Sequence, residues 1–334
     1  MTGQVLNEKY DNHPQLNIIM PSHEGVVRAA QKVAKILPPT PLLPLMIRGK
    51  TIWCKAEALQ PIGAFKIRGA WHRLTDLSEK ERKLGVVAFS SGNHAQGIAW
   101  AAKQLNINAT IVMPSDAPKA KMKATKDLGA EIIIYNRMTE SREEIARDIA
   151  LQNGATIVPS FDDAWVIEGQ GSTAIEAAQQ LSAHNGQKFD QIIACCGGGG
   201  LASGCALALL DAEICIVEPD GWDDMGQSLT LGKIVPVRPN PPFTSCDALQ
   251  TLRVCDMTFN ILHERCATGV NVTEAEIAAA MRYAYENLHI ILEPGGAVAL
   301  AAIIAGKVEL GQNPLVTLSG GNVDAALYFK MIGG

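Results

Sequence analysis

Short apolar runs alternate with longer stretches of helical period through most of this chain. Between residues 85 and 159 the alternation is strict. Runs at 85–89, 109–113, 131–135 and 155–159 have the length and β-branched content of buried strands. The stretches between them, 94–104, 118–128 and 140–152, place apolar residues at helical spacing. Strand, helix and strand in repetition predict a parallel α/β unit with right-handed crossovers. A second unit of the same grammar follows: a helix over 167–181, a strand over 191–196, a helix over 201–210 and a strand over 213–217. Helices over 274–287 and 295–305 and a strand over 315–318 complete it. Upstream, Val26, Val27, Ala30, Val33, Ala34 and Ile36 predict a helix over 24–36, stopped by Pro38, Pro39 and Pro41. A strand is predicted over 51–55, and a helix from near Phe65. Two stretches carry no clear period and are expected to be irregular: residues 1–22, and 220–270 with Pro236, Pro239, Pro241 and Pro242.

The turn at Gly197, Gly198, Gly199 and Gly200 dominates the picture. It lies between a buried strand and a helix, and it has no side chains. Successive backbone N–H groups at a helix start converge well on one small anion. No Lys-Ser or Lys-Thr follows the glycines, so this is not the turn of a nucleotide-hydrolysing P-loop. Two more polar loops, 90–93 and 319–322, also follow predicted strands. In open parallel sheets ligands bind beyond the carboxyl ends of strands, which predicts one crevice shared by the three loops. Lys66 falls in the first turn of its helix among apolar neighbours, where an ammonium is unfavourable to the helix dipole.

The 334 residues allow two domains of ordinary size. A net charge of −5 and sparse aromatic residues exclude the basic stripe or stacking platform of a nucleic-acid partner. No apolar run reaches membrane-spanning length. The eight cysteines contain no C-x-x-C pair and several sit in apolar runs, so we expect reduced core thiols and a cytoplasmic protein. The polar N-terminus gives no reason to expect a signal peptide.

Four motifs, in order, carry a resemblance: Gly-Ala-Phe-Lys-Ile-Arg-Gly-Ala at 63–70, Ser-Ser-Gly-Asn-His at 90–94, the four glycines, and Leu-Ser-Gly-Gly-Asn at 318–322. With these the chain resembles the fold-type II pyridoxal-phosphate enzymes, which are tryptophan synthase β-like, and within them the threonine/serine dehydratase and serine racemase group. The resemblance runs from Thr40 to the C-terminus. It implies an α/β fold of two open parallel-sheet domains: a large cofactor-binding domain of residues 1–74 and 161–334, and a small mobile domain of residues 75–160. It implies pyridoxal 5′-phosphate bound between them, with Lys66 forming the Schiff base and residues 197–200 cradling the phosphate. It also implies that Asn93 donates to the 3′-oxygen, Glu293 lies beside the ring and Ser319 partners the ring nitrogen. A hydroxyl at that nitrogen is too weak an acid to protonate it, which favours β-elimination over transamination.

The implied activity is a dehydratase, or ammonia-lyase, that converts a β-hydroxy α-amino acid of the L-threonine or L-serine type to a 2-oxo acid and ammonia. Lys66 would be the base, and Ser90, Ser91, Gly92, Asn93 and His94 would hold the small amino-acid substrate. Ser91 matches the second acid/base of racemase-like members, so a serine racemase with side dehydratase activity is the alternative. A helix cap is the plainer reading of the same hydroxyl. Arg142 and Thr251 lie where some relatives contact a second carboxylate, which keeps a 3-hydroxyaspartate dehydratase open. Glu218, the carbonyl of Trp222 and Asp224 match a divalent-cation set suited to Mg²⁺ or Ca²⁺. The resemblance also implies a homodimer or homotetramer, and no C-terminal regulatory domain is expected. The chain departs from the family's usual pattern at Ala64, where serine is commoner, and around 246–250.

Overall fold

The computed structural model describes residues 19–333, so most of the N-terminal stretch expected to be irregular lies outside the described residues. The strands are β1 (Leu42–Ile47), β2 (Lys50–Lys55), β3 (Val86–Phe89), β4 (Ala109–Pro114), β5 (Glu131–Tyr135), β6 (Thr156–Ile157), β7 (Gln191–Cys195), β8 (Glu213–Pro219), β9 (Thr268–Val272) and β10 (Pro314–Thr317). They form a six-stranded sheet in the order β1-β2-β10-β7-β8-β9 and a four-stranded sheet in the order β5-β4-β3-β6. Every pairing is parallel except the β1–β2 hairpin. The helices are α1 (His23–Val33), α2 (Lys66–Asp76), α3 (Glu79–Leu84), α4 (Asn93–Leu105), α5 (Lys119–Asp127), α6 (Arg142–Asn153), α7 (Ala164–Asn185), α8 (Gly200–Ala208), α9 (Asp224–Leu231), α10 (Asp256–Glu264), α11 (Glu274–Leu288), α12 (Pro294–Ile304) and α13 (Ala325–Gly333).

Strand order explains where the crevice falls. From β7 the chain steps outward through β8 to β9, then returns to place β10 on the other side of β7. In the smaller sheet it steps from β3 through β4 to β5, then returns to place β6 on the other side of β3. Each reversal leaves an opening beyond the carboxyl end of its first strand. The glycine turn follows β7, residues 318–322 follow β10, and residues 90–93 follow β3.

Helix α7 fixes two of the site elements by close backbone contact. A Cβ on Gly169 would lie 2.5 Å from the Cα of Gly69 in α2, and one on Gly171 would lie 2.3 Å from the carbonyl oxygen of Gly204 in α8. Side chains larger than hydrogen would push the helices apart. The Lys66 helix and the glycine-turn helix are thus seated on one common helix.

Beneath α2 lies a buried ion network. Arg68, fully buried, donates to Glu57 at 2.7 and 2.8 Å and to Glu176 at 2.9 and 3.1 Å. Lys55, also fully buried, donates to Glu176 at 2.6 Å and to the Thr40 carbonyl at 2.7 Å. Two cations face two carboxylates, which is what lets the charges stay inside.

Several elements differ from the sequence-based expectation. β1 contains Pro44, which reads as a strand breaker; it is tolerated because β1 is an edge strand, where a missing N–H donor costs no ladder bond. The stretch 220–270 is not irregular throughout: it holds α9, α10, a short 3-10 helix (Asp247–Leu249) and part of β9. The proline-rich middle, 232–246, and the links 250–255 and 265–267 lack regular structure. Helix α13 was also unread, and β6 is two residues long rather than five.

Candidate active site

Lys66 opens α2, and its amine donates to the Ser160 carbonyl at 2.8 Å. Burial pulls its pKa down to about 8, against a smaller opposing effect of Cys195. The position is held from behind: Ala64 bridges Gly320 antiparallel, and the Phe65 N–H donates to the Ser319 carbonyl at 3.1 Å. Ala64 is fully buried in that bridge.

The next residue after Ser160, Phe161, packs on the glycine turn. A Cβ on Gly198 would fall 2.2 Å from the Phe161 ring, and one on Gly199 would fall 2.8 Å from the Met225 methyl. Gly199 also has a left-handed φ of 88°. Side chains are therefore excluded on this turn by both conformation and space. Among the described residues, the amides of Gly197 and Gly198 donate to no protein group, and Gly200 begins α8, whose first amides have no intrahelical partner. This is a ready anion site. Thr251 lies against this turn: its Oγ1 is 3.3 Å from where a Cβ on Gly197 would be.

Asn93, Glu293, Ser319 and Asn322 meet on the other side. Asn93 Nδ2 donates to Glu293 Oε1 at 2.5 Å, and Asn93 Oδ1 accepts from Asn322 at 2.8 Å. The Glu293 N–H donates to the Gly320 carbonyl at 3.0 Å. Burial pushes the Glu293 carboxyl up to about 7, and its Oε2 is buried with no partner. The Ser319 hydroxyl accepts from the Cys195 thiol at 3.2 Å.

In the 90–94 loop, the Ser90 hydroxyl accepts from the Gly92 N–H at 3.2 Å. Gly92 is the N-cap of α4 and no side chain caps that helix, so Ser91 is not a helix cap. Its half-buried hydroxyl has no hydrogen-bond partner among the described residues. His94 is turned to the Val158 carbonyl at 2.8 Å, and burial lowers its pKa to about 3, so it is neutral and donates. Its side chain anchors α4 to the end of β6.

Three residues that bind the region together escaped the sequence reading. Lys121 on α5 pairs with Asp247 and so ties the smaller sheet to the larger. Phe161 and Cys195 gave no signal beyond that of core residues. Arg142 opens α6 with its guanidinium 5.5 Å from the Phe89 ring centroid and paired to Glu143.

The expected cation set lies behind the glycine turn, since Met225, next to Asp224, packs on Gly199. Glu218 is fully buried and accepts from the amides of Met225 and Gly226 at 3.1 and 2.8 Å. Asp224 accepts from the Val254 amide at 2.9 Å. Burial pushes Asp224 up to about 7 and Glu218 well above the usual carboxylate range. No group of three or more His, Cys, Asp and Glu is placed to hold a metal ion among the described residues.

A half-buried amine with a lowered pKa, an anion turn of bare amides, a hydroxyl with its proton unused and a carboxyl with an orphaned oxygen define a site for a phosphorylated carbonyl cofactor in an α/β enzyme. The residues fit pyridoxal phosphate in each of these respects. A family model described as "Pyridoxal-phosphate dependent enzyme" matches residues 33–321, and the chain belongs to that family. It is 39% identical over 326 residues to L-threo-3-hydroxyaspartate ammonia-lyase of Saccharomyces cerevisiae, covering 95% of this chain and 98% of the relative. It is 37% identical to serine racemase of Schizosaccharomyces pombe, over 93% and 97% of the two chains. The structure of maize serine racemase superposes with a TM-score of 0.87 at 32% identity, over 94% of this chain and 98% of that one.

Proposed function

We propose that this protein is a pyridoxal-phosphate-dependent ammonia-lyase that converts a β-hydroxy α-amino acid of the L-serine or L-threonine type to a 2-oxo acid and ammonia. The observation that carries the reading is the half-buried Lys66 amine at the head of α2, donating to the Ser160 carbonyl at 2.8 Å, with its pKa lowered to about 8. The cofactor, when bound, supplies an electron sink for the bonds at the substrate α-carbon. Lys66 would hold its aldehyde carbon, the amides of 197–200 its phosphate, Asn93 and Glu293 the oxygen edge of its ring, and Ser319 the ring nitrogen. The amides at the start of α4 would hold the substrate carboxylate. Lys66, as a neutral amine, takes the α-proton; the β-hydroxyl leaves as water, and the released enamine takes up water and gives ammonia and the 2-oxo acid.

A second reading has one specific observation behind it. The unpartnered Ser91 hydroxyl is available as a second acid/base, and inversion at carbon needs two on opposite faces. That supports racemisation of serine alongside elimination. Arg142, which opens α6 with its guanidinium over the Phe89 ring at the end of β3, would supply the cation for the second carboxylate of 3-hydroxyaspartate as a further substrate. The experiment is to incubate the holoenzyme with L-serine, L-threonine and L-threo-3-hydroxyaspartate and measure 2-oxo acid and D-isomer in parallel. We expect the 2-oxo acid to dominate. If the D-isomer dominates and Ser91→Ala abolishes it, the lyase reading is wrong. If Lys66→Ala keeps full turnover, both readings fail.

A divalent cation between Glu218, Asp224 and the Trp222 carbonyl would neutralise two buried carboxylates and would be structural. A homodimer or homotetramer is the proposed assembly. The eight free thiols support a reducing, cytoplasmic setting.

A further inference from the structure

Cys195 ends β7 and Cys196 carries the pairing one residue further, its N–H donating to the Val217 carbonyl at 2.9 Å; successive residues of such a strand point to opposite faces. Their surroundings differ accordingly. Cys196 lies toward Glu218 and Asp224, with Sγ 3.5 Å from the Gly197 carbonyl. Cys195 lies toward Lys66, Glu293 and Ser319, with Sγ 3.2 Å from Ser319 Oγ. Both partners of this second contact are buried, at 5% and 4% exposure.

The chemistry of the pair fixes its direction. Burial raises the Cys195 thiol to about 11, so it carries its proton at neutral pH and is a donor. A thiolate would reverse the bond and take the hydroxyl's proton. A serine hydroxyl has one proton and two lone pairs. The thiol engages one lone pair, and no protein group among the described residues receives the proton. The proton is left for something that is not protein.

We propose that Cys195 is a positioning residue for Ser319, its S–H donation turning the serine's own O–H toward the ring nitrogen of the cofactor. This rests on the cofactor reading above and adds to it a cause for the direction of the serine's hydrogen bond. A ring nitrogen that accepts from Ser319 is unprotonated. Without the thiol, the serine hydroxyl is free to rotate and offer a lone pair instead, and the nitrogen can then hold a proton. A thiol is a weak donor, so serine at 195 can replace it and alanine cannot.

The test uses the apoprotein and holoenzyme of the wild type, Cys195→Ala, Cys195→Ser and Ser319→Ala, and of the double variant Cys195→Ala/Ser319→Ala. The dissociation constant for pyridoxal phosphate is read from its visible band, and that band is titrated with pH. Thermal unfolding of each apoprotein reports any purely structural loss. We expect Cys195→Ala to weaken cofactor binding about fivefold, as for one neutral hydrogen bond, and to shift the pH profile of the band. Cys195→Ser should stay within about twofold of wild type. In the Ser319→Ala background, removing the thiol should change nothing further, because it acts only through that hydroxyl. Three outcomes overturn the proposal: Cys195→Ala matching wild type in binding and spectrum, alanine and serine variants losing binding equally, or additive losses in the double variant. A wild-type chain that forms no visible band overturns the cofactor reading as well, which separates the two failures.

Discussion

Replacing Arg68 with methionine keeps most of its volume and removes a charge that four short hydrogen bonds to Glu57 and Glu176 surround. Lys55 then faces two carboxylates alone, and its amine reaches only Glu176. Breaking a buried pair by removing one partner costs about 3–5 kcal/mol, because a charge is left uncompensated. Against a total stability of about 5–15 kcal/mol this is a large fraction. The loss also has a sign with pH. Burial pushes Glu176 up, but Arg68 and then Lys55 more than reverse this and hold it below the usual range. A carboxyl held low stabilises above its unfolded pKa of about 4.3 and loses that contribution as pH falls through its folded value. In Arg68→Met the largest depressing influence is gone, so Glu176 takes up a proton more readily in the folded state. The deficit is therefore greatest at pH 7 and above and shrinks as pH falls toward about 4. Denaturant unfolding of both proteins across this range measures it. Because α2 opens with Lys66, the variant should also bind cofactor more weakly at pH 7 than at pH 5.5 relative to wild type. A loss under about 1 kcal/mol, or a deficit that grows as pH falls, refutes the reasoning.

Gly198→Ala should cost about 1–3 kcal/mol of stability and most of the phosphate affinity, since its methyl would meet the Phe161 ring at 2.2 Å; Gly200→Ala, whose nearest contact is 3.2 Å, should cost less, and equal effects in calorimetry would contradict the packing account. The rate at which apoprotein takes up pyridoxal phosphate should rise with pH and be half-maximal near 8, because only the unprotonated Lys66 amine adds to a carbonyl; stopped-flow absorbance showing a midpoint near 10 would count against a desolvated amine. Mg²⁺ or Ca²⁺ should raise the melting temperature and EDTA should lower it, with both effects gone in Glu218→Gln; a wild-type melting curve indifferent to both would remove the cation proposal.

Much of the site was legible because its parts are local. The four glycines, the lysine at the head of a helix and the three loops after strands are each written in a few consecutive residues, and the rule for open sheets already placed them in one crevice. Ser91 was legible as a residue but not as a free hydroxyl: whether it caps α4 depends on where that helix starts, and the structure puts the cap at Gly92. His94 shows the converse. A histidine in a loop of this kind reads equally as ligand-proximal or structural, and only the fold shows that its Nε2 meets the Val158 carbonyl.

The sequence by itself determined the class of fold, the glycine turn between a strand and a helix and the lysine at a helix start, because strand period, helix period and a run of glycines act over short range. Tertiary structure alone decided that β1 survives a proline by sitting at a sheet edge, that Phe161 roofs Gly198, that Lys121 and Asp247 join across the two sheets, and that Cys195 rather than Cys196 faces Ser319. These are contacts between residues far apart in the chain, set by the order of strands and the close seating of helices. No local pattern of polar and apolar positions carries that information.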